Sequence, residues 1–308
     1  MVALAGAYLY AGAVVYDAIS IVEPHCGGRF ATNTPGAFTV DGLDARPFLM
    51  PEYQAVTVPS RDPGIDLSAW YVPSEAGPAG PAVVLVHGHG SCKREDRMLL
   101  AAGMLHRAGI SPLLIDLRNM GDSTVVNGRY AGGTREYRDA LGGWDWLVDQ
   151  GYEPDRVGVY GQSLGAATAL IATGEEPRVA AVWADSSYAD FDTAVQAEMA
   201  RHGEPTILRF GGYLMARIRS GDDLLGISPI KAVNKLDGRP IFLTQGAADT
   251  RLSPAYAGEL AAAVRAAGDR VDDPWMIPGA DHTQGIVLDS TDYERRLDRF
   301  FDAALDGR

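Results

Sequence analysis

Val157-Gly158-Val159-Tyr160-Gly161-Gln162-Ser163-Leu164-Gly165-Ala166-Ala167-Thr168-Ala169-Leu170 decides the reading of this chain. It opens as a short apolar run with β-branched residues, the pattern of a buried strand. It closes as an Ala/Leu-rich segment with high helix propensity. Between them lies Gly161-Gln162-Ser163-Leu164-Gly165, a G-x-S-x-G sequence. A serine hydroxyl is a weak nucleophile and must stand clear of the backbone to meet both a base and a carbonyl carbon. A strand that turns abruptly into a helix puts Ser163 at the tip of the bend, and the crowding there demands small neighbours such as Gly161 and Gly165. The new helix also aims free backbone N–H groups at the reacting oxygen. Two glycines around a serine also arise by chance in a Gly-rich chain. The flanking strand, the flanking helix and the small Ala166 and Ala167 set this instance apart. A phosphate-binding loop is excluded, since no G-x-x-x-x-G-K-[ST] occurs.

Three further stretches belong with the first. His87-Gly88-His89-Gly90 follows the apolar run Ala82–Val86. Gln245-Gly246-Ala247-Ala248-Asp249 follows Pro240–Thr244. Gly279-Ala280-Asp281-His282 follows Asp273–Ile277. Ser163, Asp249 and His282 thus occur in the order nucleophile, acid, base, each just after a predicted strand. Asp185, after the strand Val179–Ala184, is the rival acid. The Gln-Gly-x-x-Asp context favours Asp249. His25 and His202 fall in irregular segments, and His106 falls on a helix. His87 and His89 form a metal pair on paper, but no third ligand is near in sequence. No metal or cofactor is expected.

With these four stretches the chain resembles the α/β-hydrolases from about Tyr53 to its C-terminus. It is most similar to prolyl-oligopeptidase-like catalytic domains, Bem46-like proteins and small bacterial esterases. The resemblance implies a mostly parallel eight-stranded sheet flanked by helices, with a small helical cap after the sixth strand, at about residues 186–235. It implies that the backbone N–H groups of Leu164 and His89 form the oxyanion hole, and that Arg118 and Ser123 hold the D-x-R-x-x-G-x-S loop Asp116–Ser123. Asn119 stands there where glycine is commoner. Phe191, Met199, Ile207, Leu208, Phe210, Tyr213, Leu214, Met215 and Ile218 of the cap either shape the substrate pocket or pack on the sheet.

At 308 residues the chain can build one large α/β domain. Its formal net charge of −13 argues against nucleic acid and anionic membrane surfaces as partners, and leaves a neutral small-molecule ester open. Cys26 and Cys92 are the two cysteines. They can form one disulfide, but their setting does not demand it.

Residues 1–22 differ in kind from the rest, being rich in Ala, Gly, Val and Tyr with Asp17 as the one charge. About 20 such residues just cross a hydrocarbon core. No Lys or Arg precedes Arg29, so orientation is not readable from basic flanks. Leu4, Tyr8, Ala11, Val15, Ile19 and Val22 also recur at helical spacing, which suits a helix packed on the domain. A membrane anchor is the favoured reading, with a packed helix and a cytoplasmic protein as the alternative. Residues 1–25 form this unit, 26–52 a Gly/Pro-rich lead-in, and 53–308 the catalytic domain.

The sequence therefore points to a cofactor-independent serine hydrolase acting on carboxylic esters through an acyl-enzyme. A prolyl-oligopeptidase-like peptidase and an acyl-thioesterase or depalmitoylase are the alternatives. A hydrolase-fold binding protein is the non-enzymatic rival, and such proteins typically lose a member of the Ser/Asp/His set retained here.

Overall fold

The apolar runs become the centre of a single sheet. A computed structural model of the chain describes residues 2–22, 26 and 28–305. The strands are β1 (Gln54–Pro59), β2 (Asp66–Tyr71), β3 (Ala82–Val86), β4 (Ser111–Ile115), β5 (Val157–Gln162), β6 (Val182–Asp185), β7 (Ile241–Gly246) and β8 (Trp275–Ile277). They lie side by side in the order β1-β2-β4-β3-β5-β6-β7-β8. β1 and β2 form an antiparallel hairpin and β2 pairs antiparallel with β4. All other neighbours are parallel. This is the mostly parallel eight-stranded sheet of the α/β-hydrolase fold.

The helices are α1 (Val2–Ser20), α2 (Asp96–Arg107), α3 (Tyr137–Asp149), α4 (Leu164–Glu175), α5 (Phe191–Arg201), α6 (Arg209–Ser220), α7 (Pro229–Ala232), α8 (Ala255–Ala266), α9 (Gly285–Leu288) and α10 (Ser290–Leu305). β3 shows why its sequence is apolar throughout. Val84 and Val86 face a core shared with Trp144 of α3, Leu170 of α4 and Leu260 of α8. Val83 and Leu85 face the opposite core, with Leu99 of α2 and Phe301 of α10. A strand covered on both faces has no solvent side on which to place polar residues. On the second face the ring of Trp183 stacks on Phe242 with centroids 3.9 Å apart. α5, α6 and α7 occupy the connection between β6 and β7, where the helical insertion is expected.

The N-terminal segment corrects the sequence reading. Among the described residues no helix is long and apolar enough to cross a membrane, and the anchor reading of residues 1–22 is withdrawn. α1 instead packs along α6. Ala13, Val15, Tyr16 and Val22 are buried. A Cβ on Gly12 would lie 2.6 Å from the carbonyl carbon of Gly211, so the two backbones touch because neither position carries a side chain. Asp17, a cost to any membrane span, has a local purpose. Its carboxylate accepts from Arg129 at 2.7 Å and from Arg219 at 3.1 Å. Tyr16 is fully buried, shares a hydrogen bond with Ser220 at 2.6 Å, and lies under the Arg129 guanidinium. Beyond the helix, Val22 N–H donates to Gly128 and Tyr130 N–H donates to Ser20. Cys26 and Cys92, left open by the sequence, are joined in a disulfide with Cα atoms 5.5 Å apart.

Tyr16→Ala should therefore destabilise the fold by about 3–5 kcal/mol, the cost of deleting a buried aromatic ring. Urea unfolding of the two proteins measures this. A loss under about 1 kcal/mol would mean that α1 stands off the domain in solution.

Candidate active site

Ser163 sits where β5 ends and α4 begins, with φ 56° and ψ −121°. Positive φ is strained for a residue with a Cβ. The bend is tight because its neighbours are glycines. A Cβ on Gly161 would collide with the Gly165 carbonyl, and one on Gly165 with the Val86 carbonyl. The turn is pinned by Ser163 N–H, which donates to the Asp185 carbonyl at 2.8 Å. In α4 the amides of Ala166 and Ala167 both find the Ser163 carbonyl. The amide of Leu164 precedes them, in the first turn of the helix where donors lack intrahelical partners.

Ser163, His282 and Asp249 form one hydrogen-bonded chain. His282 Nε2 lies 2.8 Å from Ser163 Oγ, and His282 Nδ1 lies 2.8 Å from Asp249 Oδ2. Asp249 is held from several sides. Its Oδ2 accepts from Gln245 Nε2 at 2.6 Å, and its Oδ1 accepts from the amides of Arg251 and Leu252, each at 2.8 Å. The His282 loop is fixed by its neighbour Asp281, whose carboxylate accepts from the amides of Thr250 and His282. Those bonds lower the Asp281 pKa, the Thr250 amide contributing most. Arg97 of α2 adds a bond to the hydroxyl of Thr283 at 2.6 Å. The rival acid Asp185 points elsewhere. Its carboxyl group takes the hydroxyls of Ser186 at 2.8 Å and Tyr293 at 2.9 Å.

The loop after β3 runs past the serine, so that a Cβ on Gly88 would be 3.3 Å from Ser163 Cβ. His87 braces this loop. Its Nε2 accepts the Leu117 amide at 3.0 Å, which makes Nδ1 the protonated nitrogen that donates to Gly88 O at 2.8 Å. Complete burial lowers its pKa and keeps the ring neutral. The His89 ring lies against Tyr130 with centroids 4.4 Å apart. Burial, aided by the Arg251 charge, lowers its pKa to about 4. His202 lies exposed at the end of α5, and His25 falls outside the described residues. No group of three or more His, Cys, Asp or Glu side chains able to hold a metal occurs among the described residues.

Asn119 explains its own departure from the family pattern. Its φ of 64° is in the left-handed region, where asparagine is tolerated almost as glycine is. Unlike glycine, it has a side chain that organises the loop. Oδ1 accepts the amides of Val126, Asn127 and Gly128, and Nδ2 donates to Arg129 O at 2.6 Å. Arg118 forks onto Asp139 and reaches Asp62, and Ser123 Oγ donates to Asp116 O, so both hold the loop as the resemblance implied.

Two cavities flank Ser163. One, of about 170 Å³, is largely apolar and is bounded by Leu164, Tyr130, Phe191, Val195, Leu252 and Ile19 among others. The other, of about 370 Å³, is polar, with Glu95, Arg97, Thr250, Asp281 and Gln284 in its walls. Arg251 borders both. Of the cap residues singled out in the sequence, Phe191 reaches the apolar cavity. Met199 and Tyr213 pack into the core, and Ile207, Phe210, Leu214 and Ile218 face solvent. The wall from α1 was missed, as were Tyr130 and Arg251. Nothing in the pattern of residues 1–22 marks Ile19 as a pocket residue.

A model of the prolyl oligopeptidase family matches residues 115–308. The chain belongs to that family. An uncharacterized Mycobacterium tuberculosis protein is 35% identical to this prolyl oligopeptidase family member over 135 residues, 44% of this chain and 46% of the relative, so the match spans about half of either protein. Among solved structures, an esterase of Pyrococcus furiosus superposes with a TM-score of 0.68 at 21% identity, covering 87% of this chain and 98% of the esterase. An acylaminoacyl peptidase of Pyrococcus horikoshii superposes at 0.59 and 17% identity, with 82% of this chain covered but 42% of the peptidase. These likenesses establish the α/β-hydrolase fold of this family member.

Burial pushes the Asp185 pKa up from 3.8 to about 6. The folded state then binds a proton that the unfolded chain releases between those values. Stability drawn from Asp185 is present below about pH 4 and falls as the pH rises through 6. Relative to Asp185→Asn, the wild type should lose on the order of 2–3 kcal/mol between pH 4 and pH 7. Urea unfolding of both proteins at the two pH values reads the difference, and a difference that does not change with pH would refute it.

Proposed function

We propose that this chain is a serine hydrolase that cleaves carboxylic esters through an acyl-enzyme. The observation that carries the reading is the Ser163–His282–Asp249 hydrogen-bonded chain at a strand–helix turn, between an apolar and a polar cavity. Ser163 Oγ attacks the ester carbonyl while His282 Nε2 takes its proton. Asp249 fixes the tautomer that carries the Nδ1 proton and stabilises the imidazolium. The carbonyl oxygen becomes an oxyanion that accepts from the backbone N–H groups of Leu164 and His89. His282 then returns its proton to the leaving alkoxide. Water, deprotonated by the same imidazole, attacks the acyl-enzyme and frees the acid and Ser163. In this reading the acyl group occupies the apolar cavity and the alcohol leaves through the polar one.

The neutral His89 ring suits this arrangement, since it places no second cation beside the one formed on His282. A peptidase is the second reading, favoured by the family match.

Ser163→Ala should reduce ester hydrolysis on the order of 10⁶-fold in kcat. A fluorophosphonate should label Ser163 in the wild type and nothing in the variant. Asp249→Asn should lower kcat by roughly 10⁴-fold, with Asp185→Asn far less affected. Assays on p-nitrophenyl esters, the matching thioesters and aminoacyl p-nitroanilides decide among the substrates. Faster turnover of the anilides would overturn the ester reading. If the two aspartate variants exchange behaviour, the acid assignment is wrong.

A further inference from the structure

We propose that α1 is a specificity-determining wall of the apolar cavity, where Ala18 and Ile19 restrict the acyl group to short chains. The proposal rests on the ester-hydrolase reading of Ser163 and goes beyond it. Among the residues that bound the cavity, Ala18 and Ile19 come from the N-terminal helix, and the others come from residue 89 onward. The cavity holds about 170 Å³, below the roughly 300–1,000 Å³ of pockets that take drug-sized ligands.

A wall sets specificity only if it is held in place, and α1 is held at several points. At its middle, the backbones of Gly12 and Gly211 meet without an intervening side chain, and a Cβ on Gly212 would press on Val15 at 2.9 Å. The residue before Ala18 is Asp17, bonded to Arg129 and Arg219. The residue after Ile19 is Ser20, whose carbonyl takes the Tyr130 amide at 2.9 Å and whose hydroxyl takes Arg129 Nη1 at 2.8 Å. Ile19 and Tyr130 are thereby set in register as two walls of one cavity. The 126–130 strip that receives α1 is itself ordered by Asn119, through bonds to four consecutive residues. Past the helix, the Cys26–Cys92 disulfide joins the lead-in to the loop that carries His89. The distance from Ile19 to Ser163 is thus fixed from the α6 side and the Arg129 side.

The test measures kcat/KM for p-nitrophenyl acetate, butyrate, octanoate and palmitate in the full chain. Wild type should favour acetate and butyrate over octanoate and palmitate. One methylene in an apolar pocket is worth roughly 10–200-fold in discrimination. Ile19→Ala should therefore raise the octanoate-to-acetate ratio about tenfold or more, and Ile19→Trp should lower the butyrate-to-acetate ratio by a similar factor. Gly12→Ala acts from a distance by prising α1 off α6, and should raise the octanoate-to-acetate ratio as Ile19→Ala does. A merely structural role would scale all four esters together. Ratios that stay put in both Ile19 variants, or a wild type that prefers palmitate, would overturn the wall while leaving Ser163 as the nucleophile. A wild type that hydrolyses none of the esters and takes no fluorophosphonate label would overturn both.

Discussion

The site depends on how closely α4 can approach the neighbouring strand. Gly165 lies against the carbonyl oxygens of Val86 and His87, with no room for even a methyl group. That contact joins the start of α4 to the end of β3, which pairs with β5 in register from Ala82–Val157 to Val86–Gly161. Two loops are then forced together, the turn at Ser163 and the run His87–Gly90. The backbone strain at Ser163 is worth on the order of 1–3 kcal/mol. It persists because the surroundings leave no alternative. β5 is buried throughout, α4 is buried along nearly its whole length, and the Ser163 amide is bonded to β6.

The remaining members arrive by the same logic of parallel strands, which deliver the loops at their C-terminal ends to one edge of the sheet. β7 ends at Gly246 and β8 at Ile277, and the loops that follow carry Asp249 and His282. Asp281 bridges them by accepting one amide from each side. Asp185 ends the strand next to β5 and is nearer in the sheet, yet its carboxyl group is engaged by Ser186 and by Tyr293 of α10. Position at a strand end brings a carboxylate to the edge. The direction of the side chain decides what it meets there.

This difference marks what sequence could and could not supply. The parallel core was legible because continuous apolar runs and their spacing are properties of local segments. The Ser163, Asp249 and His282 positions were legible because each is tied to a strand end and a short Gly-containing motif. The Cys26–Cys92 bond was left open, since spacing does not report distance. The apolar residues of the cap were found but their directions were not. Ile207, Leu214 and Ile218 face solvent while Phe191 enters the cavity, and composition alone does not sort one from the other. Asn119 stands where glycine is commoner, and the reason lies in its side chain, which bonds residues seven to nine positions on and so is not visible in the local pattern.

The N-terminal helix shows the limit most plainly. Composition describes a segment without its surroundings, and residues 1–22, rich in Ala, Gly, Val and Tyr, suggest lipid on that basis alone, although no helix among the described residues is long and apolar enough to cross a membrane. The real environment of α1 is α6 and the 128–130 strip, and the features that fit it there are partners far off in the sequence. Asp17 is answered by Arg129 and Arg219, and Gly12 by Gly211. The same separation affects what family membership conveys. The family match begins at residue 115, so it includes Ser163, Asp249 and His282 but neither His89 nor α1. Resemblance over that span informs the reacting groups. The proposed acyl wall and one of the two proposed oxyanion donors lie outside it, so the proposal about chain length rests on this molecule's own packing rather than on its relatives.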